Sequence, residues 1–294
     1  MNLEPWRRPG ALSTAGRRGA LFEGLPKDPA ALAGVVQGLL MHEHISSTYG
    51  VTLDGRQLAQ AHVRSVEGML DGIAGHDARP LTTARAPDER QVGVCRHFSL
   101  MHVAMLREQG VPARARCGFG AYFEKGKFYD HWVSEYWNDA QSRWVMIDAQ
   151  MDAHQRRLFD IDFDPLDVPR DRFLVAGQAW KLCRDGKADP KAFCILDMSG
   201  WWFIAGNVIR DVAALNNHEM LPWDTWGAMT LEDAAVDTAF IDRLAALSRD
   251  PDAHPDDLRA AYEDRRVAVP ATVFNAVLGR PETVSRLSPP PVST

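Results

Sequence analysis

A chain of 294 residues with 46% apolar content can bury a sizeable core, which excludes disorder as the default state. Its net charge of −6 contains no basic block, because the arginines fall in scattered pairs such as Arg7-Arg8, Arg17-Arg18 and Arg265-Arg266; nucleic acid is therefore not an expected partner. Four cysteines, Cys95, Cys117, Cys183 and Cys194, have no C-x-x-C spacing and are too few for a disulfide framework, which fits a reducing, cytoplasmic setting.

Residues 1–24, rich in Arg, Gly and Pro, read as an extended arm or loosely ordered lead-in, without the apolar stretch that export needs. A helix is expected next, with Asp28 as N-cap, Pro29 at its first position and apolar residues at Leu32, Val35, Val36, Leu39 and Leu40. After the turn signal Asp54-Gly55 a second helical pattern runs to about Leu70, and residues 74–91 read as a loop. Helical spacing resumes at Cys95 through Phe98, Met101, Met105 and Leu106, and Gly110 with Pro112 ends it.

From residue 113 the period changes. "ARARCGFGAYF", "KFYDHWVSEYW" and "RWVMIDAQ" read as a three-stranded antiparallel meander joined by "EKG" and "NDAQS". The second and third strands carry large apolar groups on both faces, so the sheet is expected to be covered on both sides, with the Cys95 helix as one cover. Beyond Gln150 the pattern is helical around 170–183, 201–216 and 231–247, weaker after 255, and the tail 285–294 is expected to be disordered. The most apolar stretch, "CILDMSGWWFIAGNVIRDVAAL", is interrupted by Asp197, Arg210 and Asp211, so it reads as core helix and no membrane partner is expected. The expected class is α+β: one domain over 25–284, with a catalytic core at about 85–155 and a helical elaboration at about 156–284.

Cys95 is the residue with the most chemistry around it. A thiol at a helix N-terminus sits where ionisation is favoured and where backbone amides can receive an oxyanion. The competing reading is a small buried hydrophobe. A partner tips the balance: His131 in the middle of the second strand and Asp148 at the end of the third complete the set of nucleophile, base and orienter. A four-residue loop over Asn138–Gln141 pairs Trp137 with Ser142 and sets His131 opposite Asp148. Asp130 fails that test because adjacent strand residues point to opposite faces. His97 faces away from Cys95 on the helix, and His102 lies about 10 Å further along it.

"GVCRHFSLMHVAMLREQGVPARARCGF" followed by "DHWVSEYWNDAQSRWVMIDAQ" resembles the transglutaminase-like superfamily of papain-related folds over about residues 90–150. The resemblance rests on a Gly-x-Cys-Arg helix start, a Gly-Val-Pro-Ala-Arg exit, a His-Trp-Val strand and a Trp-x-x-x-Asp strand. It implies a transglutaminase-like core, here inside a large helical shell, and a Cys95-His131-Asp148 triad that forms a thioester resolved by water or an amine. Arylamine acyltransferases share the residue order, but the Arg-Gly-Gly element expected before their cysteine is missing.

The leading expectation is an enzyme that hydrolyses an amide or ester of a peptide, protein or small-molecule substrate. The alternatives are transfer to an amine and a non-catalytic binding module; oligomeric state is left open. Gln91, four residues before Cys95, is a weak candidate for a second oxyanion donor, ranked behind a polar residue in a surface loop. His42, Glu43 and His44 lack the H-E-x-x-H spacing, so no metal is expected, and no Gly-rich phosphate loop points to a cofactor. Cys183 and Cys194 read as core or surface thiols, and the aromatic cluster Trp201, Trp202, Phe203, Trp223 and Trp226 reads as core ahead of a ligand platform.

Overall fold

A computed structural model describes residues 2–284, so the tail expected at 285–294 lies outside the described residues. In chain order its helices and strands are α1 (Glu4–Arg7), α2 (Pro29–Leu39), β1 (Leu40–His42), α3 (Gly55–Ala59), α4 (Val66–His76), β2 (Gln91–Gly93), α5 (Cys95–Glu108), β3 (Ala113–Gly120), β4 (Phe128–Asn138), β5 (Arg143–Ile147) and α6 (Ala153–Leu158). There follow β6 (Phe173–Val175), α7 (Ala176–Arg184), β7 (Phe193–Ile195), β8 (Met198–Ser199), α8 (Trp201–Leu215), β9 (Asp224–Thr225), α9 (Thr238–Arg249), α10 (Pro255–Glu263), β10 (Thr272–Asn275) and β11 (Arg280–Thr283). The molecule is thus a mixture of helix and sheet. Among the described residues no helix is long and apolar enough to cross a membrane, and none of the four cysteines is in a disulfide.

Among the described residues the contacts divide the chain into two compact units: one holds Leu3–Ala115 with Val133–Val168, the other Asn2, Arg116–Trp132 and residues 169–284. In the first, α2 begins at an Asp28 cap whose carboxylate accepts from the N–H of Ala31 at 2.9 Å, with Pro29 pre-set for the first turn. The expected second helix is broken: α3 ends at Ala59, and α4 restarts where Ser65 Oγ accepts from the N–H of Gly68. β1 and β2 form a parallel pair, Leu40 to Gln91 and His42 to Gly93, too short to leave an alternating pattern in the sequence.

The lead-in is ordered rather than loose. Trp6 is 2% exposed and meets Trp144 edge-on at 5.5 Å, and the Arg114 guanidinium lies over both indoles, 3.9 Å from the ring centre of Trp144 and 4.7 Å from that of Trp6. Arg114 also donates to buried Glu135 at 2.7 Å, so the charge is paired where water is excluded. Composition alone could not show this, because the partners of Trp6 lie more than a hundred residues away in the chain.

The second unit carries α7, α8, α9 and α10. Here α7, α8 and α9 pack on one another. Asp211 on α8 is fully buried and accepts the forked guanidinium of Arg116 (3.1 and 2.8 Å), the N–H of Cys117 and the hydroxyl of Ser248. Sequence reading missed the hairpin of β10 and β11, which pairs Val273 with Glu282 and adds to β9.

The meander belongs to a larger sheet than expected. Its order is β6-β3-β4-β7-β8, with β5 paired to β4, and β7 runs parallel to β4 rather than antiparallel. Asp211→Ala should destabilise the protein by about 3–5 kcal/mol, because Arg116 would stay buried without its counter-charge. Urea unfolding checks this; a loss below about 1 kcal/mol would mean that the pair is dispensable.

Candidate active site

Cys95 is the first residue of α5 and is 6% exposed. Val94 before it is extended (φ −124°, ψ 177°), so the chain enters the helix through an abrupt change of direction. The entry is held by His97. Its Nδ1 accepts from the N–H of Val94 at 3.1 Å, and its Nε2 lies 3.0 Å from the carbonyl of Val63, which can only accept. The two partners fix the neutral Nε2–H tautomer. A Cβ on Gly93 would lie 2.7 Å from Cγ of that imidazole, so position 93 must be glycine for the ring to close over the helix start. At the other end Gly110 (φ +76°) terminates α5: its N–H reaches the carbonyl of Arg107 and that of Val111 reaches Leu106.

Neither rival histidine is shaped as a base. Burial, assisted by the nearby Arg96 charge, pushes His97 down to about 3. Burial likewise brings His102 to about 4, with its Nε2 3.0 Å from the carbonyl of Pro29 and its Nδ1 2.7 Å from Ser134 Oγ. Both are braces of the core.

His131 lies on β4, 2% exposed, among the edges and faces of Tyr122, Phe123 and Phe173, with ring centres at 5.9, 5.0 and 6.3 Å. Its neighbour Asp130 takes the other side of the strand, where it accepts from Asn207 Nδ2 at 3.0 Å. Burial raises Asp130 to about 6, partly offset by the charge of Arg210.

Asp148 directly follows β5 and is 1% exposed. Its own N–H is bound to the carbonyl of Pro165, and its Oδ1 accepts from the N–H of Gln150 at 3.1 Å. The expected register needs correcting. Trp137 pairs with Trp144, not Ser142, so the four-residue loop is 139–142 and the position opposite 148 falls to Val133 rather than His131. The cause is Asn138, which stays in the ladder while its side chain accepts from the N–H of Gln141 and starts the turn itself. Because the shift is by two, parity survives: alternation along β4 gives His131 the same side as Val133.

Gln91 is not in a surface loop. It is buried in β2 at 5% exposure, and its amide sits against Gly72 on α4, where any Cβ would collide with Oε1. Cys117 donates its N–H to Asp211, and burial pushes the Cys183 thiol up to about 12. In the aromatic cluster Phe203 and Trp226 are buried, Trp226 donating to the carbonyl of Val267, while Trp201, Trp202 and Trp223 are half-buried. Among the described residues, no three His, Cys, Asp or Glu side chains are grouped so as to hold a metal ion.

Two histidines with depressed values make stability depend on pH. The unfolded chain protonates near the ordinary value of about 6.5 and the folded chain only near 3 to 4, so stability present above pH 6.5 drains as the pH falls below it. Urea unfolding from pH 7 to pH 5 should show that loss, and His97→Gln should make it shallower; an unchanged slope would contradict the assignment.

The transglutaminase-like superfamily model matches residues 71–149, which include Cys95, His131 and Asp148. No curated protein matches the chain. A solved structure described as a "Putative Cysteine Protease from Cytophaga hutchinsonii" is similar at 14% identity and a TM-score of 0.35, over 59% of this chain and 45% of that one. That superfamily model bears out the resemblance expected over about residues 90–150: residues 71–149 are similar to the transglutaminase-like superfamily.

Proposed function

We propose that the chain is a thiol-dependent acyl-transfer enzyme in which Cys95 is the nucleophile, His131 the base and Asp148 the group that orients the imidazole. The observation that carries this reading is Cys95 at the first position of the 14-residue helix α5, inside the segment that matches the superfamily. Support comes from the burial of His131 and Asp148, from the parity that gives β4 positions 131 and 133 one side, and from the structural ties that occupy His97 and His102.

The chemistry follows from the groups. The Cys95 sulfur attacks a substrate carbonyl carbon as His131 takes the thiol proton, and the negative charge that develops on oxygen is received by backbone N–H groups at the α5 N-terminus. His131 then protonates the leaving amine or alcohol, and the carbon–sulfur thioester forms. Water attacks the thioester while His131 takes its proton, which releases the carboxylic acid and restores the thiol. Hydrolysis is the default outcome because water is always at hand, and four cysteines outside any disulfide suit a reducing compartment such as the cytoplasm. Gln91, buried in β2 four residues before Cys95, is a second candidate oxyanion donor.

Incubation with a panel of acyl donors, followed by mass spectrometry of the intact protein, should trap an acyl adduct on Cys95. Cys95→Ala should lose turnover while keeping its fold, and unaltered activity in that variant would remove the nucleophile assignment. Asp148→Asn should lower the rate by orders of magnitude through a misoriented imidazole; a loss under about tenfold would assign the orienting role elsewhere.

A further inference from the structure

The side of β4 away from His131 carries a polar chain that the proposed chemistry does not use. Asp130 opens it, its Oδ1 accepting from Asn207 Nδ2 at 3.0 Å. Asn207 lies on α8, fully buried, and its Oδ1 accepts from the Arg210 guanidinium at 3.0 Å. Because a guanidinium can only donate, the Asn207 amide has one possible orientation, and it presents its donor to Asp130. The far end of Arg210 donates to the carbonyl of Asp224 at 3.0 Å, and its Nε has no hydrogen-bond partner among the described residues. All of these groups belong to the second unit, as does His131.

Arg210 is 6% exposed, so its charge is held out of water and calls for an answering charge nearby. Asp130 supplies one through the amide. Burial raises Asp130 to about 6, and the charge of Arg210, the hydrogen bond from Asn207 and the charge of His131 all act against that rise. Burial lowers Arg210, against the charges of Cys117 on β3, Asp130, and Asp224 on β9. Asp130 is therefore an anion at neutral pH. Its attraction to His131 is mutual, so the carboxylate that a cationic His131 favours in turn favours the imidazolium that forms when His131 takes the thiol proton. Adjacent strand residues point to opposite sides, and Asp130 reaches the ring by its field rather than by contact.

We infer that Asp130, held by Asn207 and Arg210, is a positioning residue for the reaction, whose charge, one residue from the base and across the strand, steadies the His131 imidazolium and with it the Cys95 thiolate. The inference rests on Cys95 and His131 acting as nucleophile and base.

The test is the pH profile of Cys95 alkylation by iodoacetamide, read by mass spectrometry. A thiolate paired with an imidazolium gives a rate midpoint well below the ordinary thiol value of about 8.5. Asp130→Asn keeps the volume and an oxygen for Asn207 Nδ2 but removes the charge. It should move the midpoint up by about one pH unit, so that the rate falls roughly tenfold on the acid side and returns to that of the unaltered protein on the alkaline side. A looser strand would instead lower the rate alike at every pH. Asn207→Ser, which withdraws the amide donor from the carboxylate, should move the midpoint the same way by less, and covers the case in which Asp130→Asn does not fold. A low midpoint that stays in place in the folded variant, or a rate lowered evenly across the range, overturns the role of Asp130 and leaves the nucleophile and base standing. An unaltered protein whose Cys95 titrates as an ordinary thiol overturns the pairing of Cys95 with His131, and this inference with it.

Discussion

The closure of His97 over the start of α5 is the contact on which the rest of the site depends. It needs a glycine at 93, a neutral imidazole and a carbonyl at Val63, and it places Cys95 at the first helical position with its backbone direction set. The first-turn amides of a helix have no partner further back along it, so whatever occupies that position meets both the positive end of the dipole and a set of donors. A thiol there is favoured to ionise, and a carbonyl brought to it is favoured to become an oxyanion. The Gly-x-Cys-Arg pattern of the sequence thus has a mechanical meaning: its glycine makes room for the imidazole two residues beyond the cysteine.

Buried charge is used in the same manner in each unit. In one, Arg114 lies between two indoles and is answered by Glu135; in the other, Arg116 is answered by Asp211, whose two oxygens also take a backbone N–H and a hydroxyl. Such pairs add little net stability over apolar packing, but removing one partner is costly.

Much of the core was legible because its signals are local. The limits of α5 follow from apolar spacing and from Gly110 with Pro112, and the cap of α2 follows from Asp28-Pro29. The hairpin register was not legible to the residue, because four-residue loops at 138–141 and 139–142 look alike until Asn138 is seen to serve the ladder and the turn together. The pattern after Asp54 concealed a break because the Ser65 cap lies inside a run of helical spacing. The packing of Trp6 and the hydrogen bonds of Tyr49 to Asp152 and Gln155 were invisible for another reason: the partners lie more than a hundred residues away, and no short motif carries such a pairing. The strand pairs β1–β2 and β10–β11 are too short for alternation to be recognised.

The central claim is that the sulfur of Cys95 and the imidazole of His131 act as one unit. The most direct measurement is the rate at which iodoacetamide alkylates Cys95 at neutral pH, in the unaltered protein and in His131→Asn. The account predicts that the substitution slows alkylation by on the order of a hundredfold, since the thiol loses the group that takes its proton. Equal rates in the two proteins would contradict it.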